Sequence, residues 1–264
     1  MKTETPRSNN SINAQWIRTE LVHNRLQGNP NFIPPNPSHP EAPYGIFANR
    51  KIIGSGMTNI IGGVYLGARA REAIVVDDQT NSEGDKILRG FYEQEFKTNL
   101  ESKAARIGYL PKQLALNQIF KTVLKKMPYD DAKVKLLIQQ LTQGEQDKKV
   151  HLSSFLLSGV GVCRQQALLV GYLLEKLKQE QRPELKILGT FSIERNAIAF
   201  ENEGREGAHV WVRYTGSSGQ PWIIDVTQKK IGRLEELMQQ RSSWEYARPH
   251  ERILFERSHP DQSF

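Results

Sequence analysis

The chain has 264 residues, 38% of them hydrophobic and 25% charged, with a formal net charge of +7; this is the composition of a soluble, rather polar chain that folds as one large domain or as a core with an appendage. Its single cysteine excludes an internal disulfide framework and points to a reducing, cytoplasmic compartment, or to export by a route without a signal peptide. The basic excess favours an acidic partner, but the lysines are dispersed and lack an aromatic platform, so a nucleic acid is not the expected one.

Met1 to Asn10 is polar and no apolar segment follows it, so no secretory signal is read. Ile52 to Leu66 is too short and too broken by glycine to span a bilayer, and no transmembrane segment is expected. Residues 1–45 read as a proline-rich irregular arm, with a short helix around Ala14 to Leu26. Asn29-Pro30, Pro34-Pro35, Asn36-Pro37 and His39-Pro40 keep the rest out of regular structure. Residues 46–109 form an N-terminal extension of strands and a helix. Tyr44 to Asp78 suggests two strands and a tight turn, ending in Ala73-Ile74-Val75-Val76. Gly54-Ser55-Gly56 lacks the lysine and Ser/Thr of a P-loop and reads as a hairpin or bulge.

Lys86 to Leu100 is an amphipathic helix, and Pro111 opens a better one through Leu116, Ile119, Val123 and Met127. Asp130 and Asp131 cap a third, which stops at Gly144. After a polar connector, a glycine turn delivers Cys163 to a helix from about Val162 to Leu177 that is apolar nearly all round, hence buried. Strands follow at Leu185–Phe191, Ala197–Phe200, Ala208–Tyr214 and Trp222–Val226, the last two joined as a hairpin by Gly216 to Gly219. A helix from Ile231 to Gln240 and a segment from Arg252 to Phe255 close the chain; Trp16, Trp244 and Tyr246 are expected to pack. The fold class is α+β.

Chemistry concentrates on Cys163, His209 and Asp225. A helix N-terminus lowers a thiol pKa, and its free N–H groups can cradle an oxyanion. Strand alternation puts His209, Trp211 and Arg213 on one face, and a hairpin can bring Asp225 beside His209 to fix its tautomer. Gly159 and Gly161 leave room for substrate.

Gly161-Val162-Cys163 with Ala167 and Leu169, then Ala208-His209-Val210-Trp211, then Trp222-Ile223-Ile224-Asp225-Val226-Thr227 together resemble the transglutaminase-like superfamily, over roughly residues 110 to 228. The resemblance implies a papain-like core within residues 110–264, a cysteine helix packed on an antiparallel sheet, with Cys163 as nucleophile, His209 as general base and then acid, and Asp225 as orienter. It implies a cysteine-nucleophile acyl-transfer enzyme working on amides of a protein substrate through a thioester: a glutamine deamidase, a transglutaminase or a thiol protease. Trp211 would pack beside the histidine. The chain departs from papain-like enzymes where they place a glutamine before the cysteine, since Leu157, Ser158 and Val160 stand there. Donors for an oxyanion or the substrate are left open among Ser158, Gln165, Gln166, Asn117, Gln118 and the Gly161-Val162 backbone, and Arg164 could stabilise the thiolate.

Other readings compete. A catalytically inactive module that uses the fold for binding ranks second, and a basic nucleic-acid binder third. His151 is a rival base without a matching carboxylate. No metal-ligand spacing or EF-hand loop is visible, so neither a metal nor another cofactor is expected. The basic surface suits an acidic protein substrate.

Overall fold

Several helices start where a local acceptor or a fixed φ permits it. In a computed structural model, which describes residues 22–67, 71–107, 110–200, 205–239 and 246–258, Ser82 accepts from the Asp85 N–H at 3.2 Å and starts helix α2 (Glu83–Gly90) three residues before the expected Lys86. The run continues as a π-helical segment (Phe91–Lys97) and α3 (Thr98–Ile107), burying Phe91, Tyr92, Phe96 and Leu100. Pro111 precedes α4 (Lys112–Lys126), and the Asp130 carboxylate caps α5 (Asp131–Thr142). Residues 22–26 are helical (α1); Trp16 and most of the expected first helix lie outside the described residues, as does Trp244.

Where a strand pair was expected near the N-terminus, five short strands form, joined by a sixth from later in the chain. β1 (Phe32–Ile33), β2 (Ile46–Phe47), β3 (Arg50–Ile52), β4 (Gly63–Tyr65), β5 (Ala73–Val76) and β6 (Lys149–His151) form a mixed sheet in that order. β5 runs parallel to β6, with Ile74 opposite Val150 and Ala73 opposite Lys149, so this sheet is not local to the N-terminal stretch. A second sheet is antiparallel throughout, in the order β10-β9-β8-β7. It comprises β7 (Thr190–Phe200), β8 (Arg205–Thr215), β9 (Pro221–Asp225) and β10 (Lys230–Arg233). β7 replaces two expected strands by one. Ile231 to Arg233 were expected to begin a helix; instead they pair with Trp222 to Ile224, and only then does α8 (Leu234–Met238) begin. Ladder pairing along a strand already formed outweighs the weak helical preference of an isoleucine–glycine start.

α6 (Leu152–Leu157) leads into the glycine turn and α7 (Cys163–Gln179). α7 packs on β7, β8 and β9 and touches α4 and β5. Leu168, Leu169, Val170, Tyr172, Leu173 and Leu174 are fully buried on it, so its all-round apolarity is matched by cover on every side. One hydrophobic cluster runs from Ile53 through Leu88, Leu116 and Leu168 to Val226. Within residues 46–109, expected as an extension, Ile53, Ile60, Ile74 and Leu88 share this cluster with the cysteine helix, while Phe47, Ile52, Val64 and Val75 belong to a separate one. The overall class is α+β, and none of the described helices is long and apolar enough to cross a membrane.

A buried carboxylate ties the two parts of this core. Glu175 on α7 accepts the N–H groups of Ile60 and Ile61 at 2.6 and 3.0 Å, and burial pushes its carboxyl up despite them. We expect Glu175→Ala to lower stability by about 2–4 kcal/mol in denaturant titrations, because two buried N–H groups lose their acceptor, and Glu175→Gln to cost less because an amide oxygen remains.

Candidate active site

The turn before the cysteine is held by backbone. Gly159 takes φ +63° and bonds back to Leu156, and Gly161 pairs with the 128–130 segment through Pro128 O and Asp130 N. A Cβ on Gly161 would lie 2.5 Å from Met127 Cγ, so a glycine is required for this close approach. Val162 is the N-cap of α7 and has no side-chain acceptor. The first-turn N–H groups therefore face outward around Cys163 without a capping side chain. Cys163 itself is partly exposed.

Across from it, β9 stops at Asp225, and the β8–β9 ladder ends at the Val212–Ile224 pair. Beyond that point the β9 side of β8 is open, and the Cys163 thiol lies near enough to the His209 imidazole and the Val210 N–H for both to lower its pKa. His209 and Asp225, each 1% exposed, lie on the same face of the sheet. The Nε2 atom of His209 bonds Asp225 Oδ2 at 2.5 Å, which leaves Nδ1 for the sulfur. Asp225 Oδ1 accepts the Gln228 N–H at 3.0 Å, and Oδ2 also accepts the Tyr246 hydroxyl at 2.7 Å. Trp211 stacks on the imidazole with ring centroids 5.9 Å apart.

The electrostatics follow from these contacts. Burial pushes the Cys163 thiol up, but the hydrogen bond and charge of His209, with Arg164 and the Val210 N–H, bring it below its ordinary value. Burial pushes His209 down, yet Asp225 and Cys163 outweigh it and raise the imidazole to about 10. The surroundings thus move both groups toward the thiolate–imidazolium form.

The remaining expected residues separate clearly. Trp211 is at the site. Gly161 and Val162 shape the helix start. Ser158 is an exposed C-cap of α6. The Gln165 carboxamide is committed to the Val162 N–H at 3.1 Å and to Glu72 at 3.1 Å, and is fully buried, so it does not face a substrate. Gln166 joins Met127 O to the Thr227 hydroxyl, at 2.8 and 2.6 Å. Gln118 is held by Lys103 and Thr122, and Asn117 is its half-buried neighbour on α4. Arg164 pairs with buried Glu72 at 2.7 Å. His151 bonds Ser153 through Nδ1, and Asp77 O and Asp85 through Nε2, and caps α6; its role is structural.

Four contributors carried no signal in the sequence. Tyr65 and Glu72 come from the six-stranded sheet side, Arg195 from β7 and Tyr246 from the C-terminal segment. Burial pushes the Tyr65 phenol up, the nearby Arg195 opposes this, and the charge of Cys163 adds to it; the Arg195 guanidinium lies 4.6 Å from the Tyr65 ring centre. Only a strand pairing across distant sequence brings such residues to the cysteine. Among the described residues, no group of three or more His, Cys, Asp or Glu is arranged to hold a metal ion. No family model, no curated protein and no solved structure matches the chain.

Two outcomes are expected here. Gln166→Leu strands a buried carbonyl and a hydroxyl and should cost about 1–3 kcal/mol in a denaturant titration. For pH, the raised His209 contributes stability that is full below its unfolded value of 6.5 and lost as pH rises through about 10. The depressed Cys163 works oppositely: its contribution is present above the unfolded value of 9.0 and lost as pH falls through the folded one. Denaturation midpoints of the wild type should therefore fall, relative to those of His209→Gln, as pH is raised from 9.0 through about 10, where only the histidine still titrates.

Proposed function

We propose that the chain is a cysteine-nucleophile acyl-transfer enzyme with a transglutaminase-like, papain-like core, acting on amide groups of a protein substrate through a thioester. One observation carries the reading: a helix-terminal cysteine whose thiol is shifted toward the thiolate by a neighbouring imidazole, which a buried carboxylate holds through Nε2. Each group has the environment its role needs.

The Cys163 thiolate attacks the amide carbonyl carbon, and the oxyanion forms against the uncapped N–H groups of the first turn of α7. The C–N bond breaks as the imidazolium of His209 gives its Nδ1 proton to the leaving nitrogen. Neutral His209 then takes a proton from the acceptor, which attacks the thioester; the C–S bond breaks and the thiolate returns. Asp225 keeps the ring in one tautomer throughout. Water acting on a glutamine side chain gives deamidation, an amine gives an isopeptide, and water acting on a backbone amide gives cleavage. The net charge of +7 suits an acidic protein as substrate.

Iodoacetamide should alkylate Cys163 rapidly at neutral and mildly acidic pH, and His209→Ala should slow this by about 10²-fold or more, since the thiolate loses its counter-ion. Slow labelling that ignores the substitution would favour an inactive interaction module and sink the enzyme reading. Intact masses of acidic candidate proteins incubated with wild type or Cys163→Ala separate the reactions: a gain of ~1 Da marks deamidation, joined masses cross-linking and fragments proteolysis.

A further inference from the structure

Asp225 is the most heavily used acceptor of the site. Its Oδ2 takes both the His209 Nε2 proton at 2.5 Å and the Tyr246 hydroxyl at 2.7 Å, while Oδ1 takes the Gln228 N–H. Tyr246 is 2% exposed and reaches the triad from a segment 21 residues downstream of Asp225. Its ring packs edge-on against Trp211, centroids 5.3 Å apart at 81°, and Trp211 in turn stacks on His209. The hydroxyl and the ring thus meet the carboxylate and the imidazole by two separate routes.

The segment bearing Tyr246 is clamped in place. Arg213 on β8 grips Glu251 with two N–H groups, Arg248 bonds Glu194 on β7 at 2.8 Å, and Ala247 and Phe255 enter the small core with Trp211, Ile223, Leu237 and Met238. α9 (Pro249–Ser258) is therefore anchored to the outer face of the sheet whose other face carries α7.

We propose that Tyr246 is a positioning residue for the Cys163–His209 pair, acting through Asp225; the inference rests on the enzyme reading above. The hydroxyl draws negative charge onto itself from Oδ2 and stops the carboxylate from rotating. Without it, Asp225 neutralises the imidazolium more completely and holds the ring in a less fixed place. Both effects weaken the support that His209 gives the thiolate. The charged and titratable groups around this pair are Arg164 on α7, Asp225 on β9, Arg195 on β7, Tyr65 on β4, and Lys230 on β10, whose ammonium lies 5.4 Å from the Tyr246 ring centre. Of these, only Asp225 loses a hydrogen bond when the hydroxyl oxygen is removed.

The test is a double-mutant cycle read by the pH profile of Cys163 alkylation with iodoacetamide, on Tyr246→Phe, Asp225→Asn and the double variant. Phenylalanine keeps the ring on Trp211, so the unfolding midpoint should stay within a few degrees of wild type. The acid limb of the profile should move up by about half to one unit, a loss of roughly three- to tenfold in rate on that limb. In the Asp225→Asn background the same change should add nothing, because the route through the carboxylate is already cut. An unshifted limb, an equal shift in both backgrounds, or loss of the fold would assign Tyr246 to packing alone and overturn the proposal. A wild-type profile that titrates as an ordinary thiol would instead overturn the enzyme reading.

Discussion

The contact on which the site depends is the one between the Asp225 carboxylate and the His209 imidazole, each 1% exposed. Removing two charges from water is costly, and their mutual attraction recovers the cost only if the remaining lone pairs are filled. Both Asp225 oxygens are filled, by Gln228 N and the Tyr246 hydroxyl in addition to the histidine. The pair therefore dictates what surrounds it: a strand that ends at Asp225, a turn that returns Gln228, and a downstream segment folded back to deliver Tyr246. Trp211 seals the arrangement from one side, and its own indole N–H is buried without an acceptor among the described residues, a cost that the ring contacts on His209 and Tyr246 offset.

The same constraint explains why the sheet is short where the chemistry is. Had β9 continued past Asp225, it would have paired with His209 and Val210 and closed the slot into which the sulfur fits. Ending the ladder at Val212–Ile224 frees the Val210 N–H for Cys163. Gln166, from the turn of α7 next to the cysteine, bonds Met127 O on one side and Thr227 on the other. The spacing between helix start and strand end is thus fixed by a side chain bridge and not by apolar contact alone, which is non-directional.

Much of this was legible in the sequence because it is written in local patterns. The apolar circumference of α7, the glycine turn and the period-two alternation on β8 each involve a few neighbouring residues, and they put Cys163, His209 and Asp225 on the right elements. The Ser82 cap was overlooked, and Ile231 to Arg233 were assigned to a helix because their pairing with β9 is a tertiary event. The places of Tyr65 and Glu72, and the bond of Tyr246 to Asp225 beyond the packing expected of it, had no mark in the sequence for a stronger reason. A buried aromatic or acid in a strand or loop has no spacing that marks it, and their places depend on which distant segments pair: β5 with β6, and the C-terminal segment with β7 and β8.

The missing glutamine of the papain-like pattern can be understood on the same terms. A side chain donor before the cysteine would have to come from the 157–161 turn, and that turn is pinned by its backbone to residues 128–130, with Gly161 pressed on Met127. At Gly161 itself there is no room for a side chain. The glutamines that follow the cysteine are spent on structure, Gln165 on the Val162 N–H and Glu72, Gln166 on Met127 and Thr227. What the site retains is an N-cap valine that cannot satisfy the first turn of a 17-residue helix. An uncapped N-terminus costs stability, and here the uncapped groups surround the sulfur, where an oxyanion would form. Under the proposed acyl-transfer reading, the backbone of α7 would take the place that the absent side chain would have filled.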